Sequence, residues 1–141
     1  MTKQQFPRQL VEFAIAFNKM SHQLLTAVRP EGMTALHFEL LHFLLTEQAA
    51  TLTQIAQCVG MSLPNTSREI RKLQEKQLVS KTADKQDKRI QYVSLSPAGL
   101  DLMQAVSLKL EQLIEERYEG LSEAETAAVS EAMAVLNGKL L

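Results

Sequence analysis

The segment TQIAQCVGMS, Thr53 to Ser62, constrains this chain more than any other. Thr53 can cap a short helix, Ile55, Ala56 and Val59 supply its inner side, and Gly60 can take the left-handed backbone that ends it. Two residues on, Ser62 can cap a second helix. That helix tolerates Pro64 because N–H groups in a first turn have no intrahelical partner. Two helices must therefore meet across a very short turn, and Ala56 is small where they approach. The second helix is expected to run to about Gln77. Ile70 and Leu73 point inward, leaving Asn65, Ser67, Arg68, Arg71 and Lys72 for its outer side.

The flanks are also helical. Phe6, Leu10, Phe13, Phe17, Met20 and Leu24 alternate four- and three-residue spacings, which puts an apolar seam along one long helix. Pro30-Glu31-Gly32 stops it. Thr34 can cap the next helix, with Leu36, Leu40, Leu41, Leu44 and Leu45, and a polar break follows over Glu47 to Thr51. Past the central pair, Leu78–Thr82 and Arg89–Leu95 read as two strands around a charged tip. Ser96-Pro97 restarts helix, with Leu100, Met103, Val106, Leu110, Leu113 and Ile114 in one stripe. Ser122-Glu123-Ala124-Glu125 is a capping box that opens a last helix with Val129, Met133 and Leu136. The expected fold is mainly α with a small β-hairpin: a helix-turn-helix with a two-stranded wing, held between long helices.

Composition narrows the function. The 141 residues suit one subunit, and 45% hydrophobic content is enough for a packed core. The single cysteine, Cys58, rules out an intramolecular disulfide framework and fits a reducing, cytoplasmic setting. No segment is long and apolar enough for a membrane helix, and no leader pattern is seen. No nucleophile–base spacing, phosphate loop or paired carboxylate supports an enzyme, and nothing calls for a cofactor.

The net charge of −1 hides a strong polarity. From Ser62 to Tyr92, eight Lys/Arg face four acids, a net +4; from Ala98 to Leu141, three face eight, a net −5. One end suits a polyanion and the other does not. Lys85, Lys88 and Arg89 at the wing tip suit phosphates or a narrow minor groove. Phosphate would repel Asp87, two residues from Arg89, but it can hold the guanidinium in one orientation.

Residues 33 to about 104 resemble the MarR family of winged-helix transcription regulators. The resemblance rests on Leu52-Thr53, Ile55-Ala56, Val59-Gly60, Ser62, Arg68, Ile70, Leu73 and Leu78-Val79. Its most specific part is Asp87-Lys88-Arg89 followed by Val93, Leu95 and Gly99. Two positions depart from the pattern. Gln77 stands where glycine is usual, so the turn needs another left-handed residue or a different geometry, and Thr66 stands where an apolar residue is common. The resemblance implies a homodimer on a palindromic operator in double-stranded DNA, usually repressing. Dimerisation helices fall at about 4–28 and 97–140, and the winged helix-turn-helix at about 33–96. Candidate DNA contacts are Ser62, Asn65, Thr66, Ser67, Arg68, Arg71, Lys72, Lys85, Lys88 and Arg89, with Asp87 as the orienting acid. Candidate dimer residues are Phe6, Leu10, Phe13, Phe17, Leu110, Leu113 and Leu136. The resemblance also implies a small aromatic or anionic ligand between the arms and the DNA lobe, with Met20, His22 and His37 as candidate pocket residues.

Other readings of the same residues are plainer. His37 and His42 are five apart and do not share a helix face as a metal-binding pair would, so ordinary core or surface histidines are expected. Cys58 has no cation near it in sequence to activate it and reads as an ordinary thiol. The alternative function is a winged-helix module for protein interaction, or for metal or redox sensing, without sequence-specific DNA reading.

Overall fold

The computed structural model describes residues 2–141. The order is α1 (Phe6–Val28), α2 (Ala35–Glu47), β1 (Ala49–Thr51), α3 (Leu52–Val59), α4 (Leu63–Glu75), β2 (Val79–Ala83), β3 (Gln91–Leu95), α5 (Pro97–Arg117) and α6 (Glu123–Leu140). Hydroxyl side chains open every helix after α1: Thr34, Thr51, Ser62, Ser96 and Ser122 each accept a bond from a first-turn N–H. Each such cap stabilises by about 1 kcal/mol. The cap of α3 is Thr51, not Thr53 as the sequence suggested. Gln54 reaches back to the Thr51 N–H at 2.9 Å while Thr51 Oγ1 accepts from Gln54 N, so a reciprocal box outcompetes the simple cap two residues on.

The core sits where α2, α3, α4, α5 and the sheet converge. Leu40, Leu41, Leu44, Ile55, Ile70, Leu73, Val93 and Met103 are fully buried, each stabilising by about 1.5–3 kcal/mol. Leu24 and Val28 join at the end of α1. Helix α2 is apolar around much of its circumference because several elements cover it.

The sheet has three antiparallel strands in the order β1-β3-β2. The hairpin was expected; β1 was not, because its segment reads as a polar break. Ala50 pairs with Val93, both buried, so the free edge of β3 recruits three residues of weak intrinsic strand preference. The second strand of the wing also starts later than expected, at Gln91, which leaves Arg89 in the tip.

The outer helices pack less. Helix α1 lies along α5, and Arg117 Nη2 donates to Gln23 Oε1 at 3.3 Å. Yet Phe6, Phe13 and Phe17 remain about half exposed, and Val11 and Ile15 are exposed off the expected seam. Leu110 and Leu113 pack at the edge of the core, Leu136 is half-buried, and no residue of α6 is fully buried.

Candidate nucleic-acid interface

Gly60 ends α3 in the left-handed region at φ 69°, and Met61 N donates to Ala56 O at 3.0 Å. Ser62 then starts α4, its hydroxyl accepting from Asn65 N at 3.3 Å. Asn65, Arg68, Arg71 and Lys72 stand exposed on the outer side of α4, as does Ser62 at its start, and Ser67 is half-buried. Thr66 is different. It is wholly buried, so it is removed from the candidate DNA contacts. Its spacing to Ile70 and Leu73, four and seven, puts it on the inner stripe. Its hydroxyl donates to Ser62 O at 2.9 Å, so burial leaves no polar group unmet.

The wing tip is built on aspartates. Asp84 Oδ2 accepts from Gln86 N and Asp87 N at 3.3 and 3.0 Å, which folds the turn. Sequence reasoning passed over Asp84, although an aspartate followed by a turn is its usual signal. Asp87 in turn accepts from the backbone and the guanidinium of Arg89. Those bonds, side chain first and backbone second, hold the Asp87 carboxyl below its ordinary value. Lys85, Lys88 and Arg89 are all exposed.

A joint connects α4 to the wing and to α5. Gln77 adopts φ 63° itself, so the turn found no substitute for the missing glycine. Leu78 N closes back on Leu73 O at 3.0 Å, and Ser96 Oγ donates to Gln77 O at 2.6 Å. Ser96 N donates to Leu78 O, and a Cβ placed on Gly99 would collide with that same carbonyl. Glycine is therefore required sterically at position 99, with no special backbone angle involved.

Two of the three candidate pocket residues are not where they were expected. A cleft of about 330 Å³ lies between α1 and α2, with Leu25 and Phe38 as apolar lining and His22, Arg29, Glu39 and His42 as polar lining. Met20 and His37 do not line it. His37 is buried, with Nε2 2.7 Å from Glu69 Oε2 on α4. His42, expected to be an ordinary core or surface histidine, shares the cleft with His22. Among the described residues no group of three His, Cys, Asp or Glu side chains is placed to hold a metal ion. Cys58 is a free, exposed thiol.

A short helix, a glycine turn, a capped helix with cations outward and an ordered basic wing define a winged helix-turn-helix protein. More particularly, residues 31–90, which hold this lobe, match the model of the MarR family. No curated protein matches the sequence. Among solved structures, the chain is similar to MepR, a transcription regulator of the Staphylococcus aureus multidrug efflux pump MepA. The TM-score is 0.69 at 19% identity, covering 100% of both chains. It is also similar to a cysteine-to-serine variant of MarR from E. coli complexed with operator DNA, with TM-score 0.66, 19% identity and 96% and 99% coverage. S. aureus MepR bound to ethidium bromide gives TM-score 0.66 at 21% identity, with 92% and 96% coverage. The arms share the fold of these regulators as well as the lobe.

Proposed function

We propose that the chain is a cytoplasmic transcription regulator that binds a palindromic operator in double-stranded DNA as a homodimer. It acts as a repressor and responds to a small aromatic or anionic ligand. The observation that carries this reading is that one lobe turns two sets of cations outward, Arg68, Arg71 and Lys72 on α4 and Lys85, Lys88 and Arg89 on the wing. Helix α4 would enter the major groove with Ser62, Asn65, Ser67 and Arg68 towards base edges, and the wing would lie on the adjacent minor groove.

Pairing is supported by the arms. Half-exposed Phe6, Phe13 and Phe17 and the uncovered α6 would leave a large apolar surface on a lone protomer. Ligand response is supported by the α1–α2 cleft, whose apolar lining beside Arg29 and His22 suits an aromatic anion. Relatives in fold bind operator DNA and ethidium, which agrees with both.

The test is selection of bound sequences from random duplexes. The expected result is a palindrome bound with a steep loss of affinity as salt rises. Recovery of no preferred sequence, or binding indifferent to salt, overturns the reading.

A further inference from the structure

We infer that His37 is a positioning residue for DNA reading: through Glu69 it sets the rotation of α4 about its own axis. The inference rests on the DNA-binding role proposed above.

His37 lies in the first turn of α2, its N–H held by Thr34 Oγ1 at 3.0 Å. Its side chain is 5% exposed. Because the Glu69 carboxylate only accepts, the hydrogen of the 2.7 Å bond sits on Nε2. Nδ1 is then buried without a partner. An apolar residue would fill the space without that cost. What the imidazole provides is one short, charge-assisted bond to the recognition helix, and among the described residues it is the only side-chain hydrogen bond joining α2 to α4.

The rest of the seat of α4 is Thr66, Ile70 and Leu73. Their close packing resists separation and limits rotation, but dispersion lacks the directionality that would fix the last few degrees. A hydrogen bond is directional. At the roughly 5–6 Å outer radius of a helix, a turn of about 20° moves the outer atoms of a side chain by about 2 Å. That exceeds the tolerance of a base-edge hydrogen bond. Glu69 sits between Arg68 and Ile70, so fixing Glu69 fixes the angle at which Arg68 leaves the helix. Its other oxygen accepts from Lys72 Nζ at 3.1 Å, which occupies the carboxylate on both sides of a face meant for phosphate.

The test measures affinity for the selected palindrome and for a random duplex at one salt concentration, using the full-length protein. His37→Leu is expected to lose on the order of tenfold on the palindrome, with random-duplex affinity and salt slope unchanged. His37→Gln, whose amide N–H stands in for Nε2–H, should recover most of the loss. Glu69→Ala, at a half-buried surface position, should lower the palindrome-to-random ratio while tightening random binding by removing a negative charge. It also decides the matter if His37→Leu does not fold. Parallel losses on both duplexes, no rescue by glutamine, or an unchanged ratio in Glu69→Ala would overturn the role of His37 alone. A wild-type protein that does not discriminate would overturn the DNA-binding proposal, and this inference with it.

Discussion

Asp87 grips the Arg89 guanidinium at two points, Oδ1 accepting from Nε at 3.1 Å and Oδ2 from Nη2 at 3.3 Å. Oδ1 also accepts from the Arg89 backbone N–H at 3.1 Å. The arginine is 92% exposed, so solvent screens the pair and it adds little to folding. In the proposed complex it would leave Arg89 less freedom to lose on meeting DNA.

That grip predicts a coupled pair. Arg89→Ala should remove a DNA contact, and Asp87→Ala should weaken operator binding by less. In the double variant the loss of Asp87 should add nothing, because there is no guanidinium left to orient. A double-mutant cycle on operator affinity, at fixed salt, measures this. Strictly additive losses would assign Asp87 to the fold of the tip instead.

The helix and the wing should differ in kind. Arg68→Ala should cost about 1–3 kcal/mol on the operator and relax its specificity. Lys85→Ala should weaken every duplex alike and flatten the salt slope by about one per subunit. If both substitutions behave the same on specific and random DNA, the assignment of α4 to base reading fails.

The protein should sediment as a dimer at micromolar concentration. Phe13 and Phe17 stack at 5.9 Å between ring centroids on the exposed side of α1. Phe17→Glu should shift the population to monomer by burying an unpaired charge at the seam. A wild-type monomer would leave the apolar arms without an explanation.

Acid should erase the contribution of Glu69. Its carboxyl is held below the ordinary 4.5, first by the His37 hydrogen bond and then by that from Lys72. A group whose folded pKa is lowered gives stability that is complete above the ordinary value and is lost as pH falls through the folded one. Wild type should therefore exceed Glu69→Gln in stability near neutrality, and the gap should close below 4.5. Urea midpoints measured across that range check it; a gap that persists in strong acid would contradict the assignment.

Gln77→Gly should stabilise the protein by about 0.5–1 kcal/mol, because glycine takes φ > 0 without the steric cost that a Cβ imposes, less its larger unfolded entropy. The Gln77 side chain is exposed, so nothing else is lost. Gly60→Ala, in the same backbone region, should destabilise by about 1 kcal/mol. Thermal melts of the two variants moving the same way would refute this.

The helices, the wing and the outward cations were legible because their signals are local. A serine before a helix, a glycine after one and an apolar period each act within a few residues. Strand β1 was not legible, since its pairing belongs to Val93, some forty residues on. The inward turn of Thr66 was present in the spacing to Ile70 and Leu73 but was obscured by its polar label. The bond from His37 to Glu69 joins residues 32 apart, and no periodicity encodes it. Likewise, His22 and His42 come to line one cleft only when the C-terminal part of α1 is placed beside α2.

The joint at Ser96 has a geometric consequence for operators. It clamps the end of α4 to the first turn of α5, and the 21 residues of α5 form a rod about 31 Å long. In the proposed dimer, a tilt of about 5° over that length displaces the clamped end by roughly 3 Å, close to the 3.4 Å rise of one base pair. Half-sites one turn apart require reading helices about 34–36 Å apart. In that proposed dimer, the number of base pairs between half-sites would be set by the inclination of α5, through residues that never touch a base.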